Sequence, residues 1–386
     1  MRASAAVWFL LAALTAPVHA GLSITPLEFP GQAQPSIATV RDGFVLTSID
    51  RRDGIAELRF TLLDHQGKTQ SEGSIARGKD WFVNWADFPS LVETDGVDWV
   101  TFFLQQSDAT KPYAYDVRLT RSKDHGKTWS TPWTVHTDGT TTEHGFVTLL
   151  PASGNNVVVA WLDGRHGASA NHDDGHHGAR TSLQAAMVND RQQVTQQWEL
   201  DTLTCDCCNT DGRRIGDEHW LVYRNRTEGE IRDMLSMRFD GRAWSEPMPL
   251  PADNWLMPAC PVNGPALASL GGDPLAFWPT MRDGKAVVRL ARLDGTWQTL
   301  GELESHESLQ GQVDAVAFGR HEALVSWIGQ RGSATVLKVG RVDHAGRIAE
   351  THEITEIAPG RNTGMPRMAA RGRTPCWSGP RQERVQ

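Results

Sequence analysis

The residue types able to do chemistry in this chain concentrate between positions 143 and 263. Cys205-Asp206-Cys207-Cys208 sets three thiols within four positions, and Cys260 follows about fifty residues later. That spacing is too irregular for a zinc ribbon, whose cysteines come in regular pairs. Three chemistries stay open: disulfides, for instance from Cys260 to one of the three; a thiolate metal site; or a catalytic thiol. One bridge would leave two thiols available, so the first two readings can coexist. With Cys376 the cysteine count is five, an odd number, so at least one thiol is free, metal-bound or paired between chains.

Asn171-His172-Asp173-Asp174-Gly175-His176-His177 places imidazoles and carboxylates at spacings that suit zinc, copper or nickel. The plain alternative is a solvated insertion that holds nothing. His144, on a neighbouring repeat, can add a ligand. The metal candidates are therefore Cys205, Cys207, Cys208, Cys260, His144, His172, His176 and His177, with copper or zinc as the ion. Arg165, Arg224, Arg226 and Arg232 form a further group. A guanidinium fork grips a carboxylate or sulfate through two parallel hydrogen bonds, so these arginines can converge on an acidic ligand. Equally, they can pair with Glu228, Glu230 and Asp233 as a rim salt-bridge network.

Such residues need elements to hold them. Ser122-Lys123-Asp124-His125-Gly126-Lys127-Thr128-Trp129 reads as a self-locking hairpin turn. The Asp caps backbone N–H groups, the Gly takes positive φ, and the Trp buries its ring below the turn. Related turns occur at Asp64, Asp190, Asp240, Asp294 and Asp343, so six turns follow at separations of 60, 66, 50, 54 and 49 residues. A second register keeps step, with an aromatic closing a β-like apolar run at Phe103, Trp161, Tyr223, Trp278, Trp327 and Trp377. Two markers at one period predict a repeat of four-stranded blades, an all-β propeller. Inner strands are expected near Pro35, Pro89, Gly145, Asp211, Pro265, Val313 and Pro366, which makes seven blades, with six as the alternative. Leu22 to Phe29 is expected to complete the last blade and close the ring.

Composition agrees: 36 glycines and 15 tryptophans against 3 tyrosines suit many short strands packed with indoles. A net charge of −8 argues against nucleic acid and anionic membranes as partners. Residues 1–20 read as a signal peptide, with Arg2, an apolar run from Ala5 to Ala16, and Val18-His19-Ala20 as cleavage site. No cysteine follows the cleavage site, so no lipid anchor is expected. The mature chain, 21–386, is then one exported domain, periplasmic or secreted, and a monomer.

The Asp turn resembles the Asp-box (BNR) hairpin of the sialidase-like β-propellers. Trp161-Leu162-Asp163-Gly164-Arg165, Cys205-Asp206-Cys207-Cys208 and Cys260-Pro261-Val262-Asn263-Gly264-Pro265 are similar to a bacterial exported branch labelled exo-α-sialidase. The resemblance implies ligand chemistry on the face opposite the Asp turns. In sialidases three arginines hold the substrate carboxylate, a Tyr assisted by Glu attacks the anomeric carbon, and an Asp is the acid/base. Here the place of one such arginine is Gln34-Pro35, and Tyr113 and Tyr115 are expected in a third strand away from the mouth. Two functions follow. One is a glycosidase for an acidic glycan, with Arg165, Arg224 and Arg226 as clamp, Tyr223 as nucleophile and Asp87 or Glu143 as acid/base. The other is a non-hydrolytic metal-binding or scaffold propeller using the Cys/His rim.

Overall fold

The structure, a computed structural model, describes residues 33–167, 180–343, 345–360 and 364–378. Residues 1–20, expected to be a signal peptide, the Leu22–Phe29 segment and the His172–His177 loop lie outside the described residues.

Within them the chain folds into a propeller of six four-stranded antiparallel blades. Blade one runs Ala33–Val40, Gly43–Arg52, Ile55–Leu63 and Thr69–Gly78, each strand paired to the next. The same order repeats over residues 91–134, 144–201, 211–249, 266–306 and 311–356. Seven full blades are not supported. The hairpin at Pro366 delivers only Arg367–Arg371 paired with Thr374–Ser378, a two-stranded sheet between the first blade and the sixth. This small sheet nonetheless carries core: Ala369 packs with Ile37 and Phe44 of blade one, and Met368 with Val316 and Leu324 of blade six.

Each blade is covered by neighbours on both faces, so its middle strands are apolar throughout rather than alternating. Val157–Asp163 is buried at every position. The cores lie between blades: Leu58 and Phe60 meet Trp99 and Phe103, Phe102 and Tyr115 meet Trp161, Val222 meets Trp278, and Phe277 meets Trp327. A buried indole still needs an acceptor for its N–H. Carboxylates supply it, with Trp99 donating to Glu93, Trp161 to Asp163, Trp278 to Asp253 and Trp327 to Glu304.

All six turns fall between third and fourth strands. In the best-formed one, Asp124 accepts the Thr128 N–H (2.8 Å) and the Ser122 hydroxyl (2.9 Å). Gly126 takes φ +85°, and a Cβ there would meet Phe60 at 2.6 Å, so glycine is required on two counts. Trp129 packs across the blade boundary against Phe60, the same ring that lies against Gly126 of the turn. In blade three the capping residue is Asn189, not Asp190: its side-chain oxygen takes the N–H groups of Arg191 and Gln193.

Candidate functional site

The mouth opposite the Asp turns is built from the loops between blades and those joining second to third strands. Across blades two to six it presents a row of groups.

At one end stand Asp87, Tyr115 and Glu143. Tyr115 opens the third strand Tyr115–Ser122, stacks on Phe82 with ring centroids 4.0 Å apart, and lies at 0% exposure. Its hydroxyl is 2.6 Å from Glu143 Oε1 and 3.1 Å from Asp87 Oδ2. The expectation that Tyr115 sits away from the mouth is therefore wrong; Tyr113, two residues earlier, is the exposed one. A hydroxyl has one hydrogen to donate, so a second carboxyl on the same oxygen must carry its own proton. The pKa shifts agree. Burial pushes Glu143 up to about 8, with the Asp206 and Asp87 charges adding to it against the pull of the Tyr115 bond. Burial likewise raises Asp87 to about 7, opposed by the Phe146 N–H and Tyr115. Asp87 is buried, whereas Glu143 is half-buried and the more open of the two.

Next come the cysteines. Cys205, Cys207 and Cys208 cluster with their sulfurs within 4.8 Å of one another, and Cys207 also groups with Asp206 and Cys260. The thiols of all four are free. The segments 205–208 and 258–264 open the inner strands of adjacent blades, which is why residues so distant in sequence meet. His144 is not in this group. It stacks on His136 (centroids 3.8 Å, planes 4° apart) and its ring contacts Asp116, Asp138 and Asp163. Burial first, then the neighbouring His144, lowers His136 to about 4, so it is neutral. His172, His176 and His177 lie outside the described residues.

The arginines are brought to the rim but do not converge. Arg165 forks onto Asp163 through Nε and Nη2. Arg226 forks onto Glu230, which also takes a bond from Arg232. Arg224, 1% exposed, spends its guanidinium on the carbonyls of Asn263, Arg232 and Pro279 beneath the Trp255 ring. Tyr223 is fully buried, donates to Asp201 at 2.8 Å, and touches neither Asp87 nor Glu143.

The far end of the row is a pocket of about 280 Å³ lined by Trp255, Asn263, Thr280, Met281, Gln310 and Gln312. Thr280 Oγ1 and Gln312 Oε1 are buried there without hydrogen-bond partners among the described residues. Sequence reasoning missed this pocket, Tyr115 and His136. A Trp after an Asp-Asn turn in an interblade loop was the available sign for the first. The parity of Tyr113 and Tyr115 ahead of a strand was the sign for the second.

No family model matches the chain, and no curated protein does. Among solved structures it is similar in fold to a Hadza microbial sialidase, at 14% identity and TM-score 0.50 over 83% of this chain and 70% of that one. A polysaccharide lyase (ulvan lyase) is similar at 12% identity and TM-score 0.47, covering 83% and 81%. A Penicillium chrysogenum α-L-arabinanase complexed with arabinobiose is similar at 14% identity and TM-score 0.47, covering 83% and 95%.

Proposed function

We propose that this chain is a glycan-directed propeller that holds a sugar at its mouth, in the pocket walled by Trp255. The observation that carries the reading is that pocket: Trp255 lines it together with Asn263, Thr280, Gln310 and Gln312, whose side chains carry amide and hydroxyl groups. Sugars present apolar C–H faces and a rim of hydroxyls, and a concave site with an aromatic wall and a few polar groups suits them. A sialidase shares the fold, which makes a sugar the first ligand class to test. The three arginines expected to clamp an acid already have partners, so the reading favours a neutral sugar over an acidic one. Titrating neutral and acidic oligosaccharides into the protein while following tryptophan fluorescence tests it. Trp255→Ala should weaken binding about tenfold or more, as loss of an aromatic anchor does, and Asp343→Ala on the opposite face should not. Binding that ignores Trp255→Ala, or no binding by folded protein, refutes it.

Hydrolysis of a glycan lying at the other end of the mouth is a second reading, favoured by Glu143. A carboxyl kept protonated to about 8 and open to the mouth suits a general acid. Fluorogenic glycosides assayed with Glu143→Gln decide it: turnover should be lost in the variant, and no turnover by the unaltered protein rejects hydrolysis.

A further inference from the structure

We infer that Cys205, Cys207 and Cys208, backed by Cys260, form a thiolate site for a thiophilic d¹⁰ cation, zinc or copper(I), at the mouth between blades four and five. This inference stands apart from the sugar reading and rests on different residues.

The backbone presenting the thiols is pinned at both sides. Thr204 N–H bonds to Thr181 of blade three (2.7 Å), and Cys205 N–H bonds to Arg224 of blade four (3.1 Å). Cys205 Sγ lies 3.2 Å from Cys208 Sγ and 3.9 Å from Cys207 Sγ. A zinc–thiolate bond of about 2.3 Å sets sulfurs on a tetrahedron roughly 3.8 Å apart, whereas disulfide sulfurs sit at about 2.0 Å. The 3.9 Å pair matches the first spacing, and the 3.2 Å pair is too long for a disulfide and shorter than the tetrahedral edge. Its surroundings suit sulfur carrying negative charge. Cys208 Sγ accepts the Asn263 N–H at 3.3 Å, the kind of outer contact that orients a metal thiolate. Arg232, 3% exposed, faces Cys205 while its Nη2 pairs with Glu230 at 2.8 Å and its Nη1 lies 3.6 Å from Asp206. Three thiols bonded chiefly to one another are a poor use of a buried site, because S–H groups are weak donors and weak acceptors. One cation on deprotonated sulfurs uses all three. Cys207 belongs both to the triad and to the Asp206–Cys260 group, so Cys260 borders the site beside Cys207 without joining the triad. Soft sulfur ligands select zinc and copper(I) over magnesium or calcium.

The test uses the full chain, reduced, loaded separately with zinc and with copper(I), desalted against a competing chelator, and analysed for metal. About one ion per chain is expected from one of the two arms. Cys205→Ser and Cys208→Ser should lower retained metal tenfold or more, while Cys376→Ser should not. Because a serine variant can fail to fold, the unaltered protein is also loaded with cobalt(II), where thiolate-to-metal charge-transfer absorption reports sulfur ligation directly. Absence of both retained metal and charge-transfer absorption overturns the inference. So does finding Cys205, Cys207, Cys208 and Cys260 already oxidised to disulfides in protein taken from an oxidising compartment, which would make the cluster a covalent staple.

Discussion

Replacing Arg224 separates a ligand clamp from a structural pin. Its Nε and Nη2 reach Asn263 O at 3.1 and 2.7 Å, Nη1 reaches Arg232 O at 2.7 Å, and Nη2 reaches Pro279 O at 2.6 Å. Arg224→Ala strips three carbonyls of a cationic donor and opens a void under Trp255. A hydrogen bond to a charged group contributes about 1.5–3 kcal/mol. The losses share one network and do not add fully, so about 3–5 kcal/mol is expected in total. At about 2 °C per kcal/mol, the lower end for large chains, the melting temperature should fall by roughly 6–10 °C. Arg224→Lys should recover only part, since a compact ammonium on a shorter side chain does not reproduce the planar fork that spans these three carbonyls. Thermal melts with and without acidic and neutral sugars read both effects. An unchanged melting temperature with lost binding of an acidic sugar would refute this reasoning and restore Arg224 as a clamp.

Other outcomes follow from the same geometry. Asp124 is held at about 2 by the Thr128 hydroxyl and N–H, so its stabilisation is present above its unfolded value of 3.8 and lost as pH falls toward 2. Asp124→Ala should lower the melting temperature at pH 7, shrink the loss on acidification, and leave ligand binding by folded protein intact. Glu143 keeps its proton to about 8 in the fold but releases it near 4.5 when unfolded, so stability should fall as pH rises between those values. Glu143→Gln should flatten that slope in melts taken at several pH values. His136, lowered from 6.5 to about 4 by burial, has the opposite sign: stability falls as pH drops through that window. An NMR titration of its ring should show no protonation at pH 6, and a midpoint near 6.5 would contradict the burial argument.

The scaffold was legible because every blade solves the same physical problem. Each needs a turn that caps itself and an apolar middle strand, so Asp124, Asp343, Trp161 and Trp327 announce their places by period alone. The blade count was less legible, because Pro366 starts an inner strand as convincingly as Pro265 does, and only the pairing shows that two strands follow. At the mouth, residue types were readable and their partners were not. Arg224 looks like a clamp in sequence because the carbonyls of Asn263 and Pro279 that occupy it leave no trace in side-chain identity. Arg165 and Arg226 likewise hide their pairing with Asp163 and Glu230, which sit two and four residues away and fit either reading. Tyr115 was misplaced because the third strand, expected to hold Tyr113 as well, begins at Tyr115 itself, and His144, offered as a ligand beside the His172–His177 loop, turns its ring toward His136.

One device separates scaffold from site among the mouth carboxylates. Asp211 accepts the Leu267 N–H (2.8 Å), Asn263 accepts the Gln312 N–H (2.8 Å), and Asp314 accepts the Met368 N–H (2.5 Å). Each bond ties the start of one inner strand to the next around the ring. Asp87 does the same for blades two and three, taking the Phe146 N–H at 2.9 Å. Phe146 and Gln312, at two of these latches, hold φ near +50°, a strained state for bulky residues that persists only where the surroundings impose it. An acceptor in this column is thus accounted for by ring closure, and an amide serves as well as a carboxylate, as Asn263 demonstrates. What closure does not account for is the other Asp87 oxygen, which shares the Tyr115 hydroxyl with Glu143. Asp87→Asn should therefore keep the latch and the fold while changing the protonation of Glu143. Asp87→Ala should lose the latch and stability together. Of the two carboxyls, Glu143 holds no backbone group among the described residues, and it is the less buried one.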